Sequence, residues 1–156
     1  MPSEEFMRRA IDLAAANVRA GRGGPFAALV VKDCTVLAEG TNLVTSTKDP
    51  TAHAEVVAIR RACTELGAFQ LHGCELYTSC EPCPMCLGAI YWARPAMIWF
   101  GATHVDAAEA GFDDSFIYQQ MRLRVSERAV PMRQLLPDEA RAPFDVWRSQ
   151  AAKIPY

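Results

Sequence analysis

Thr51-Ala52-His53-Ala54-Glu55, followed by Pro82-Cys83-Pro84-Met85-Cys86, is the stretch on which the reading of this chain turns. Two cysteines three apart at the start of a helix lie on one face, one turn apart, so both thiolates can point at one ion. A helix N-terminus adds unpaired N–H groups and positive potential, which favour thiolate over thiol. Imidazole with two thiolates suits zinc far better than magnesium or calcium. The expected ligands are His53, Cys83 and Cys86, holding one Zn2+ per chain.

Ligand number separates a structural from a catalytic ion. A structural zinc has four protein ligands; a catalytic one keeps three and leaves the fourth place for water. No fourth ligand matches here. His72 and His104 stand alone and read as surface or core residues. Glu55 could be a fourth ligand, but positions i and i+2 on a regular helix point about 200° apart. A carboxylate beside such a site is better placed for proton transfer. A lone Cys-x-x-Cys is weak and a lone His-x-Glu weaker; together, in this order, they form the His-x-Glu … Pro-Cys-x-x-Cys signature of zinc deaminases. A closed zinc site or a redox pair is the competing reading.

Around this centre the chain alternates helices and strands, which argues for an α/β layered fold. Residues 4–20 carry Phe6, Ala10, Leu13, Ala14 and Val18 at helical spacing, with Ser3 as N-cap and Gly21 and Gly23-Gly24-Pro25 as the stop. Phe26–Val31 and Thr35–Ala38 read as a hairpin about Lys32-Asp33-Cys34. Asn42–Pro50 is a polar loop. Thr51–Leu66 is the strongest helix, closed by Gly67. Glu75–Thr78 is a short strand, Pro82–Arg94 a helix with Pro84 at a first helical position, and Ala96–Gly101 an apolar strand. Asp106–Gln120 predicts one or two short helices, Ser126–Met132 a last strand and Pro137–Ala152 a C-terminal helix. Strand order is not readable from this pattern.

The 156 residues fit one domain, residues 1–156, and carry no repeat or linker. Just over half are apolar or aromatic and under a quarter charged, which is ordinary globular composition. No apolar run approaches the roughly 20 residues of a membrane span. The acidic opening Met1-Pro2-Ser3-Glu4-Glu5 does not read as a signal peptide, so the expected address is cytoplasmic. A net charge of −2 gives no footprint for a polyanion; Arg8/Arg9 and Arg60/Arg61 read as solvated helix faces. Cys34, Cys63, Cys74 and Cys80 have no ligand spacing among themselves and are expected to be structural.

Longer segments add a resemblance. Thr51–Glu55, Cys80-Glu81-Pro82-Cys83-Pro84-Met85-Cys86-Leu87-Gly88-Ala89-Ile90-Tyr91-Trp92-Ala93-Arg94-Pro95 and Ala107-Ala108-Glu109-Ala110-Gly111-Phe112-Asp113-Asp114-Ser115-Phe116 resemble the bacterial guanine deaminases of the cytidine deaminase superfamily. Gly23-Gly24-Pro25-Phe26 and Asn42 also match. The resemblance implies a three-layer α/β/α cytidine deaminase-like fold with a central five-stranded mixed sheet. It implies a homodimer in which C-terminal segments, about residues 137–156, are exchanged. It implies that Asn42, Phe26, Ala54, Trp92, Asp114 and Tyr156 of the partner subunit surround a purine base. Met121–Leu136 matches less distinctively.

The activity so implied is hydrolytic deamination of guanine to xanthine and ammonia, with Glu55 moving the protons and Asp114 assisting at the amino group. From the residues alone, Asn42 reads first as a turn residue and second as a donor and acceptor for a base edge. Phe26 and Trp92 read as core or as stacking surfaces, and Asp114 as an ordinary surface acid. The rival readings are a tRNA adenosine deaminase, another deaminase acting on guanosine, cytosine or a triazine, and a non-catalytic zinc-stabilised module. The tRNA enzyme would need a basic surface that this charge balance does not supply.

Overall fold

Asp33 and Cys34 take left-handed conformations in succession, φ 48° and 58°. Two consecutive positive φ values make the tight hairpin turn whose twist matches paired strands. It joins strand β1 (Ala27–Lys32) to β2 (Thr35–Thr41), which pair antiparallel. Strand β3 (Glu75–Cys80) pairs antiparallel with β1, and β4 (Met97–Ala102) runs parallel to β3. The mixed sheet has the order β2-β1-β3-β4. These features come from a computed structural model that describes residues 3–156. Met1 and Pro2, which open the acidic N-terminus, lie outside the described residues.

The sheet is covered on both faces because β1 is apolar on both. Ala28 and Val30 enter one cluster with Ala54, Ala58 and Ala62 of helix α3 (Ala54–Leu66) and Ile90 and Ala93 of helix α4 (Pro84–Ala93). Short helix α2 spans Val44–Thr47. Leu29 and Val31, pointing the other way, enter a second cluster with Ala10 of helix α1 (Glu4–Arg19) and Tyr77. The result is three layers: α1, the sheet, then α3 with α4. Helix α5 (His104–Glu109) follows β4, started by a capping box between Thr103 and Asp106.

Residues up to Asp114 form one compact unit and Ser115–Tyr156 another. The second contains helix α6 (Ser115–Arg122), 3-10 turns at Val125–Glu127 and Glu139–Arg141, and helix α7 (Ala142–Ser149). None of its residues is buried. Phe116, Met121, Leu135, Phe144, Ile154 and Tyr156 all expose more than half their surface.

Four expectations need correction. The sheet among the described residues has four strands, not five. The expected strand Ser126–Met132 is a 3-10 turn and irregular chain. Pro131 lacks the N–H a ladder needs, and residues 115–156 contain no second strand to pair with it. On α1, Val18 is half exposed while Asn17 is fully buried. The buried stripe runs through Ala10, Ala14 and Asn17. The expected C-terminal helix is also shorter, Ala142–Ser149.

One close approach fixes where α3 lies. A Cβ on Gly40 of β2 would stand 2.2 Å from the Ala54 carbonyl oxygen and 2.5 Å from the Ala58 nitrogen. Only glycine lets the helix backbone sit this near the strand. Gly40→Ala is therefore expected to cost ~1–3 kcal/mol or more of stability and to lower bound zinc, because α3 begins at His53. Urea unfolding and zinc analysis of the purified variant measure both. Unchanged midpoint and zinc content would contradict the packing argument.

Candidate metal centre

Both ligand-bearing helices begin at a ligand. His53 is the N-cap of α3, extended at φ −68° and ψ 154°, and Cys83 is the N-cap of α4, extended at φ −65° and ψ 167°. Neither side chain caps its own helix; both turn to the same point. His53 Nδ1 lies 3.5 Å from Cys83 Sγ and 3.4 Å from Cys86 Sγ. The three ligand atoms lie within 4.8 Å of one another. A tetrahedral zinc with ordinary Zn–N and Zn–S bonds separates its nitrogen and sulfur ligands by about 3.5 Å, so the donor set fits zinc in kind and in spacing.

Electrostatics agree with the geometry. The Cys83 thiol is lowered to about 4, first by its hydrogen bond with Cys86 and then by His53 against the cost of burial. Its thiolate in turn raises the His53 imidazole. The Cys86 thiol is driven upward by the same contact and by burial.

Glu55 sits in the first turn of α3 and is buried. Its Oε2 lies 3.4 Å from Cys86 Sγ, so the carboxyl group faces the ligands. Yet Glu55 is outside the set of mutually close ligand atoms. Burial pushes its carboxyl above the usual range, as suits a group that both takes and gives a proton. The Thr78 hydroxyl, on β3, donates to Glu55 Oε1 at 3.0 Å. Sequence reasoning missed Thr78, since threonine in a strand is ordinary.

Other expected residues distribute unevenly. Ala54 is fully buried at the first position of α3. Asn42 is buried at the end of β2, and its N–H donates to the Phe26 carbonyl at 3.0 Å. Phe26 meets Phe112 edge-on, ring centroids 4.9 Å apart. Asp114 is half-buried; burial and the Cys83 thiolate raise its carboxyl, which puts it within electrostatic reach of the metal ligands. Trp92, on α4 beyond Cys86, is 64% exposed. Tyr156 lies in the second unit, away from any burial within it. His104 pairs with Glu81 and His72 contacts Gln70. Cys80 is buried with its thiol pushed up to about 11, and it points to the Thr103 carbonyl. Neither histidine nor Cys80 belongs to the ligand set.

Residues 1–102 match the family model of the cytidine and deoxycytidylate deaminase zinc-binding region. The chain belongs to this deaminase family. It is 58% identical over 156 residues, the whole of both chains, to guanine deaminase of Bacillus subtilis strain 168. A crystal structure of guanine deaminase from Bacillus subtilis matches with TM-score 0.97, 58% identity, over 100% of this chain and 99% of that one. A structure of guanine deaminase from Nitrosomonas europaea matches with TM-score 0.67, 36% identity, over 72% of this chain and 65% of that one. A tRNA-specific adenosine deaminase of Aquifex aeolicus is 44% identical over 78 residues, 50% of this chain and 52% of its own.

In this deaminase centre Thr78→Val keeps the side-chain shape but removes the donor to Glu55. Turnover is expected to fall about ten- to a hundredfold, the worth of one hydrogen bond to a charged group, with zinc content unchanged. Steady-state kinetics with metal analysis decide it. Full activity would show that Glu55 is held without Thr78.

Proposed function

We propose that this chain is a zinc-dependent guanine deaminase, converting guanine and water to xanthine and ammonia. The reading is carried by one observation: three protein ligands converge with a buried carboxylate facing them from outside the ligand set. The full-length likeness to guanine deaminase supports the choice of base.

His53, Cys83 and Cys86 would hold the ion. Bound there, zinc supplies the Lewis acidity that makes water nucleophilic near neutral pH. Glu55 takes a proton from the water that attacks C2 of guanine, then returns protons to the ring nitrogen and the departing amine. The C2–N bond breaks, ammonia leaves and xanthine remains. Thr78 keeps the carboxyl group of Glu55 turned toward this event. Asp114 assists at the amino group, a role supported by its partial burial and by the upward push that burial and the Cys83 thiolate give its carboxyl. Asn42, Phe26, Ala54 and Trp92 surround the purine.

The proposed enzyme works as one catalytic domain that exchanges its C-terminal segment, about residues 137–156, within a homodimer. Tyr156 of the partner subunit then closes the site. The support is the second unit itself: a stretch with no buried residue and many exposed aromatics lacks a core of its own. We place the enzyme in the cytoplasm, where its six free cysteines stay reduced. No helix of the described residues is long and apolar enough to cross a membrane.

Ammonia release from guanine, guanosine, adenine, cytosine and tRNA, with and without chelator, tests the substrate. Guanine is expected to react, and chelation to stop it; inosine formation in tRNA without guanine turnover would overturn the reading. Glu55→Gln is expected to keep its zinc and lose about a hundredfold or more of turnover. An active, zinc-replete variant would remove Glu55 from proton transfer. Deleting Ile154–Tyr156 is expected to reduce turnover more than it lowers the melting temperature; unchanged kinetics would exclude a closing role for the tail.

A further inference from the structure

Asn17 is a polar residue in the buried register of α1, with none of its surface exposed. Its Nδ2 donates to two backbone carbonyls, Gly24 at 3.0 Å and Asn42 at 2.8 Å. The amide cannot turn over, because Oδ1 would then face two carbonyl oxygens. Asn17 thus spends its amide hydrogens on main-chain acceptors at Gly24 and Asn42.

What Asn17 grips is the frame around Asn42. A Cβ on Gly23 would stand 2.1 Å from the Asn42 carbonyl oxygen, so the 23–26 loop presses directly on that peptide. The Gly24 N–H donates to Asn42 Oδ1 at 3.3 Å, and the Val44 N–H donates to the same oxygen at 3.3 Å. These two donors occupy both acceptor sites of the oxygen. Asn42 therefore has only its N–H groups to offer a base, where the residue type alone allowed a donor and an acceptor. Gly24 is thus held at its carbonyl by Asn17 and donates its own N–H to the Asn42 side chain.

We infer that Asn17 is a positioning residue for substrate binding: by clamping the Gly24 and Asn42 carbonyls it fixes Asn42 as a hydrogen-bond donor toward the purine. This rests on the guanine deaminase reading. Guanine presents acceptors such as O6 and N7 to a donor of this kind.

A double-mutant cycle tests it. Asn17→Asp, which loses the two N–H donors at constant size, and Asn17→Ala, which leaves room for a water, are each made alone and with Asn42→Ala. In the single variants the KM for guanine is expected to rise about tenfold and the Kd for xanthine by a similar factor, while kcat changes less than about threefold and zinc stays at one per chain. With Asn42→Ala present, the same changes at Asn17 are expected to move KM less than about twofold. Should Asn17→Asp fail to fold, Asn17→Ala carries the cycle. Equal KM effects in both backgrounds, or a lowered melting temperature with KM and Kd unchanged, would make Asn17 merely structural and overturn the inference. A wild-type enzyme that does not deaminate guanine would instead overturn the substrate reading, so the two failures are distinct.

Discussion

Two helices that begin at the same point in space set the terms for everything else in this protein. His53 and Cys83 occupy the N-cap positions of α3 and α4, and both spend their side chains on the shared centre instead of on their own helix ends. A helix start concentrates unpaired N–H groups and positive potential, which is where a thiolate is cheapest to keep. The cost is two uncapped helix termini. It is offset when a cation bonds all three ligands, since metal binding of this kind couples directly to folding.

The sheet makes the convergence possible. Gly40 brings the backbone of α3 against β2, and β3 runs beside β1, so that Thr78 reaches Glu55 from the strand layer. Ser79 works from the same strand, its hydroxyl accepting the Ala27 N–H at 3.1 Å. The Glu55 carboxyl group is thus positioned by rigid elements and not by a loop, which favours a constant orientation. On the far side of the sheet, Asn17 holds the Gly24 and Asn42 backbone carbonyls, the contact through which it is proposed to position the substrate edge. In the proposed mechanism, catalysis and base reading are supported from opposite layers of one small α/β unit.

Legibility in the sequence followed the chemistry. The convergence of His53, Cys83 and Cys86, with Glu55 beside them, could be read directly because ligand spacing and helix starts leave few alternatives. The α/β layering was readable from alternating elements, and the strand pair about Asp33-Cys34 from its turn. Thr78 was not readable: its hydrogen bond to Glu55 spans 23 residues, and threonine belongs in strands anyway. Asn17 left a trace, a polar side chain in helical register with Ala10 and Ala14, but Val18 offered a more apolar alternative for the buried stripe. The last strand failed because a strand exists only when something pairs with it, and a local pattern at Ser126–Met132 carries no information about a partner.

The account stands on a metal with three protein ligands and one place left for a light atom. Zinc X-ray absorption on the purified protein addresses that coordination sphere directly. The predicted spectrum fits two sulfur atoms at about 2.3 Å with one imidazole nitrogen and one further oxygen at about 2.0 Å. A third sulfur or a second imidazole would mean a closed structural site, and the catalytic account would fail.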